Sequence, residues 1–190
     1  NTVSILVTPT PTLTIVASPT AICRGNSATL TVSGAGSYTW LPGGSTNTSI
    51  VVSPTVTTTY TVIGKSGTCT SIKNFTLIVR PRPNINVITL PPVICKGGTS
   101  LLLANGATSY TWSPGSLTGN SVVVSPSVTT SYTVTGSNMF GCTNTATTSV
   151  LVNPTPTILT VPSSTLLCIG SGSVTLTSSG ALNYLYNPGG

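Results

Sequence analysis

Five cysteines carry most of the chemistry available to this chain: Cys23, Cys69, Cys95, Cys142 and Cys168. Asp, Glu and His are absent, and the only cations are Arg24, Lys65, Lys73, Arg80, Arg82 and Lys96. Without carboxylates or imidazoles there is no general base of the usual kind, no carboxylate pair for glycoside hydrolysis and no Ser-His dyad. No catalytic residue is assigned, and the chain is expected not to be an enzyme. Metal binding by the thiols is not expected either, because no Cys-x-x-Cys pair and no His accompanies them, and no cofactor is implied.

Thiols with neither metal nor base partners point to disulfides in an oxidising compartment. Cys23 and Cys69 lie 46 residues apart and Cys95 and Cys142 lie 47 apart, so one bridge inside each unit is the expected pairing, with the partner of Cys168 expected beyond Gly190. An equally periodic alternative joins Cys69 to Cys95 and Cys142 to Cys168, both 26 apart, stapling each unit to the next.

The cysteine spacing is one expression of a tandem repeat, which outranks local signals. Ile22-Cys23-Arg24-Gly25, Ser37-Tyr38-Thr39-Trp40, Val51-Val52-Ser53-Pro54, Tyr60-Thr61-Val62 and Cys69 return as Ile94-Cys95-Lys96-Gly97, Ser109-Tyr110-Thr111-Trp112, Val123-Val124-Ser125-Pro126, Tyr132-Thr133-Val134 and Cys142. The offset is 72 from Cys23 to Cys95 and from Trp40 to Trp112, and 73 from Cys69 to Cys142 and from Cys95 to Cys168. The expected organisation is residues 1–7 as the last strand of a preceding repeat, 8–80 and 81–153 as two whole repeats, and 154–190 as the first half of a third. Both ends fall inside a repeat, so the 190 residues are read as a section of a longer chain. Thr8-Pro9-Thr10-Pro11, Arg80-Pro81-Arg82-Pro83 and Asn153-Pro154-Thr155-Pro156 separate the repeats. Alternate prolines favour polyproline II, so these linkers are expected to act as short semi-rigid spacers.

Short alternating segments must position the cysteines. Thr and Ser make up about a third of the residues, and Gly and Pro add 34 more, an all-β composition. In the first repeat, strands are expected at Leu13–Val16, Ala28–Val32, Tyr38–Trp40, Ile50–Val52, Thr59–Val62 and Phe75–Val79, with turn signals every 8–12 residues. About seven such strands per repeat predict a two-sheet antiparallel sandwich. Tyr38, Trp40, Tyr60, Tyr110, Trp112 and Tyr132 recur at fixed strand positions, which favours core packing over a platform for stacking sugars.

The basic residues read as scattered singly, without aromatic interleaving, so nucleic acid is not expected as a partner. No apolar run of about 20 residues is present to span a membrane. A chain that carries no charge after Lys96 lacks the usual guards against edge association, so self-association with neighbouring repeats or chains is expected. Covalent glycans are a further candidate partner, at Asn47 and Asn74 in Asn-x-Thr/Ser sequences and at Thr10, Thr12, Thr155 and Thr157 in the Thr-Pro linkers.

The order Ile-Cys-x-Gly, Ser-Tyr-Thr-Trp-x-Pro-Gly, Val-Val-Ser-Pro, Tyr-Thr-Val and Gly-Cys-Thr resembles the tandem Ig-like or PKD-like repeats of large secreted surface proteins and adhesins of gliding-type bacteria. The resemblance covers essentially all 190 residues. It implies Ig-like sandwiches of about 72–73 residues joined by Pro-x-Pro linkers, export to the cell surface, often by the type IX route, and a stalk or adhesion role. The chain departs from the pattern in having no acidic residue between Tyr-Thr-Val and Gly-Cys, and so no carboxylate to hold calcium there. The expected function is an extracellular, secreted or cell-surface structural repeat that forms a stalk, adhesin shaft or filament. The alternative is a carbohydrate- or surface-binding module of an exported adhesin or enzyme.

Overall fold

A computed structural model describes residues 9–166, 169–170 and 173–187. The orphan strand expected at residues 1–7 and Cys168 lie outside the described residues. The chain divides into two compact units, one of Asn1–Asn86, Ala104–Asn120 and Thr133–Ala146, the other of Val87–Leu103, Ser121–Tyr132 and Thr147–Gly190.

The first unit holds the whole of the first sequence repeat. Its strands are β1 (Thr14–Ser18), β2 (Ala21–Cys23), β3 (Ala28–Ser33), β4 (Ser37–Leu41), β5 (Ser49–Val52), β6 (Thr58–Ser66) and β7 (Cys69–Arg80). They form two sheets, β1-β3-β5 and β2-β7-β6-β4. These are the A-B-E and G-F-C sheets of an Ig-like sandwich, with β2 added in parallel beside the last strand. Period-2 alternation builds the core, because every second residue of a strand faces the opposite sheet. Ala28, Leu30 and Val32 of β3 meet Tyr38 and Trp40 of β4, Tyr60 and Val62 of β6 and Leu77 of β7 in one buried cluster. Complete burial of Leu30, Val62 or Leu77 contributes roughly 2 kcal/mol each.

Two departures from the sequence expectation bear on the cysteines. The last begins at Cys69 instead of Phe75, since the two-residue turn Gly67-Thr68 lets pairing start at Ser66 opposite Cys69. The three-residue β2 carries too few positions for an alternation to register, yet its parallel register sets Ala21 opposite Ile78 and Cys23 opposite Arg80.

The second repeat supplies β8 (Asn86–Leu90), β9 (Val93–Cys95), β10 (Ser100–Asn105), β11 (Ser109–Ser113), β12 (Leu117–Thr118), β13 (Ser121–Val124), β14 (Thr130–Ser137) and β15 (Thr143–Asn153). Their sheet orders are β8-β10-β13 and β12-β11-β14-β15-β9. The additional short β12 pairs with β11 at Trp112 opposite Leu117. In the third repeat β16 (Leu159–Pro162) and β17 (Leu176–Ser179) pair as β1 and β3 do. The fold is therefore all-β, with Ig-like strand order, and no helix occurs among the described residues.

Glycine leaves room where a strand meets the first core residue after a linker. A Cβ on Gly136 of β14 would stand 2.5 Å from Ile85 Cδ1 and 2.8 Å from Ala107 Cβ. Gly64 of β6 lies under Leu13 and Ala35 in the same way.

Candidate functional site: a stapled linker

The aromatic residues with most apparent binding potential are interior. Tyr38, Trp40, Tyr60, Trp112 and Tyr132 are buried, and Tyr110 is half-buried. Each indole N–H donates to a backbone carbonyl seven residues on, Trp40 to Asn47 at 2.9 Å and Trp112 to Gly119 at 3.0 Å. The Tyr38 hydroxyl donates to Ala35 O at 2.8 Å and accepts from Ala35 N at 2.9 Å. Tyr110 does the same with Ala107, and Tyr184 accepts from Ala181 N, so in all three repeats a tyrosine hydroxyl holds the backbone three residues before it. Burial without a charge partner raises the pKa of the Tyr60 and Tyr132 phenols.

The cysteines are arranged differently from either expected pairing. The disulfide joins Cys23 of the first repeat to Cys142 of the second, 119 residues apart in sequence and 5.6 Å between Cα atoms. It excludes both Cys23–Cys69 and Cys95–Cys142, as well as Cys142–Cys168 from the alternative scheme. Cys95 is an exposed free thiol, which removes Cys69–Cys95. Strand length is the physical reason. Cys23 lies opposite Arg80 at the end of β7, whereas Cys69 begins that twelve-residue strand. Eleven residue steps at about 3.3 Å place the two cysteines roughly 36 Å apart, against less than about 7 Å between Cα atoms for a bridge.

Around this bond the linker Arg80-Pro81-Arg82-Pro83 is held from both sides, all within the first compact unit. Arg82 spreads its guanidinium over three acceptors: Nε to Arg24 O at 2.8 Å, Nη1 to Thr143 O at 3.0 Å and Nη2 to Asn26 Oδ1 at 3.0 Å. Two of these, Arg24 and Thr143, are the immediate neighbours of the bonded cysteines. Asn138 uses both ends of its amide. Its Oδ1 accepts from Phe140 N at 3.0 Å and Cys142 N at 3.1 Å, which shapes the turn that presents Cys142, and its Nδ2 donates to Pro81 O at 2.9 Å. Asn144 Nδ2 donates to Pro83 O at 3.0 Å. The Arg80 guanidinium carbon lies 4.2 Å from the Phe140 ring centroid, a cation–π contact.

The linker is thus a clasped joint where the sequence predicted a spacer. Three of the six cations converge here, correcting the expectation that they are scattered, and with no acid in the chain their acceptors are neutral carbonyls and an amide oxygen. Arg24 adds a bond from Nε to Thr55 O at 3.1 Å. Sequence reasoning did not assign Arg82, Asn138 or Asn144 to a site. Two signals were present: arginine at linker positions where the third linker has Asn153 and Thr155, and the step from a 72- to a 73-residue offset, which falls in the Asn138–Cys142 turn. The glycosylation candidates Asn47, Asn74, Thr10, Thr12, Thr155 and Thr157 are all exposed.

No family model and no curated protein matches the chain. Solved structures similar to it include a calcium-stabilised adhesin by which an Antarctic bacterium reaches out and binds ice, at 14% identity, with a TM-score of 0.44, covering 82% of this chain and 52% of that one. Another is the 1.5-MDa bacterial ice-binding adhesin, at 13% identity and a TM-score of 0.36, covering 79% and 68%. Murine CEACAM1b gives 13% identity and a TM-score of 0.36, covering 76% of this chain and 100% of that one. Likenesses of this size bring no ligand or activity to the present chain.

Proposed function

We propose that this chain is an extracellular, non-catalytic repeat protein that forms a stalk, adhesin shaft or surface filament. In this reading repeats 8–80 and 81–153 are the units of the array. The observation that carries it is the clasped linker: a disulfide between successive repeats is flanked by the Arg82 fork and two asparagine amides, which supports a connection stiffer than a semi-rigid spacer. A disulfide also belongs to an oxidising compartment, which supports secretion. Burial of the paired tryptophans leaves no indole platform for a sugar, which weighs against the binding-module alternative. Exposed Thr-rich surfaces suit glycans or lateral association with other chains, and the repeat motifs support export from a gliding-type bacterium.

Solution scattering tests the fixed joint. The oxidised chain is expected to scatter as a stiffer particle than the Arg82→Ala/Cys142→Ser variant, whose Kratky profile should rise at high angle. Superimposable profiles from two folded proteins would reject a shaft built on this joint.

A further inference from the structure

We propose that the Cys23–Cys142 disulfide is an extension stop that reduction releases: while intact, it removes residues 24–141 from the path along which the chain bears tension. The proposal rests on the shaft reading for its purpose, although its mechanics follow from connectivity alone.

Tension applied through the two ends follows the shortest covalent route. That route enters the bridge at Cys23 and leaves at Cys142, so 118 residues lie in a closed loop that carries no load. The loop holds β3 to β7, the whole Arg80–Pro83 linker and β8 to β14. The part of either core that lies within residues 24–141 can melt without adding its own length to the loaded path. Load falls only on the flanks, which include β1, β2 and β15. The withheld length is large. An unfolded stretch of 119 residue steps at about 3.4 Å spans roughly 400 Å, where the bridged Cα atoms stand 5.6 Å apart.

Access to the bond is restricted at the joint. Cys142 is 1% exposed and Cys23 is half-buried. Arg82 ties Arg24 O to Thr143 O, bracketing both sulfurs through their sequence neighbours. The clasp is therefore expected to slow reduction by a small dithiol, which must reach the bond from the half-buried Cys23 side. One thiolate of the reductant attacks a cystine sulfur and breaks the S–S bond to give a mixed disulfide; its second thiolate then closes on the first. Two electrons pass to the protein, the two cysteine sulfurs take up two protons, and the dithiol leaves as a cyclic disulfide.

The test is single-molecule force extension of the full chain held by peptide tags at its two ends, preceded by a non-reducing peptide map to locate the bridge. The total unfolded length in dithiothreitol is expected to exceed the oxidised length by about 400 Å. Cys142→Ser and Cys23→Ser should each show the longer value without reductant. Arg82→Ala should leave the oxidised length unchanged while shortening the time dithiothreitol needs to produce the long form. Equal lengths with and without reductant would overturn the stop, as would a map lacking the Cys23–Cys142 peptide. Scattering reads joint stiffness separately, so failure of the shaft reading would leave the length step in place.

Discussion

Replacing Arg82 by Ala removes the three hydrogen bonds that its guanidinium makes, at 2.8, 3.0 and 3.0 Å. Ordinary protein hydrogen bonds contribute about 0.5–1.5 kcal/mol net, and these lie at an exposed site where water can replace them, so the lower part of that range applies. The expected loss is about 2 kcal/mol, well below the roughly 5 kcal/mol that a disulfide joining residues 119 apart in sequence contributes in the chain-entropy account. Urea unfolding of the oxidised protein measures it: the midpoint should fall with the slope m unchanged. Hydrogen exchange at the Cys142 amide, which is held by Asn138, should accelerate in parallel and shows that the loss is at the joint. Arg82→Lys should recover no more than about a third, because a compact ammonium cannot span three separated acceptors as a planar fork does. A cost under about 0.5 kcal/mol, or full recovery by Lys, would refute the account of Arg82 as a geometric clasp.

Salt should act with the sign opposite to that of a salt-bridged joint. Arg24, Arg80 and Arg82 repel one another with no acid nearby, so raising NaCl from about 0.01 to about 1 M should move the urea midpoint up, and a fall would show that attraction between charges holds the linker. Tyr110→Phe should cost about 1–3 kcal/mol in the same assay, since Ala107 N and O lose their shared hydroxyl, and Tyr38→Phe should match it through Ala35; a neutral result would remove the backbone-holding role. The raised phenols of Tyr60 and Tyr132 give a pH dependence with a defined sign. Unfolded tyrosine ionises near pH 10 while the buried phenols stay neutral, so stability is complete below that value and falls as pH climbs toward the raised folded values. Spectrophotometric titration with Tyr60→Phe and Tyr132→Phe as controls checks this, and a midpoint unchanged between about pH 9 and about pH 11 would contradict it.

The sandwich was legible because its determinants are local and repeated. Alternation of Ala28, Leu30 and Val32, or of Tyr60 and Val62, states which face is buried without reference to any distant residue. Two copies of each strand word confirm the assignment. What alternation does not state is where pairing begins. Thr70 to Asn74 shows no buried stripe, so the first half of β7 was invisible although the ladder runs from Ser66 opposite Cys69 to Thr58 opposite Leu77.

That missing half-strand is also why the joint was misread. A five-residue last strand at Phe75–Val79 leaves Cys69 on a loop long enough to fold back toward Cys23, and the 46-residue spacing then looks like an internal bridge. A twelve-residue strand fixes Cys69 at one end of the sandwich and Cys23 at the other, so a bridge inside the repeat is excluded by length alone. Once Cys23 is at the end from which the linker departs, its partner must come from the element that meets the linker. The Asn138–Cys142 turn is that element, and Asn138 supplies the amide that grips Pro81 O. Exact repetition would have hidden this joint. It is readable only where the copies differ, in the added turn residue and in Arg80 and Arg82 set against Asn153 and Thr155. In a tandem array the shared residues specify the unit, and the unshared ones specify how one unit is fastened to its neighbour.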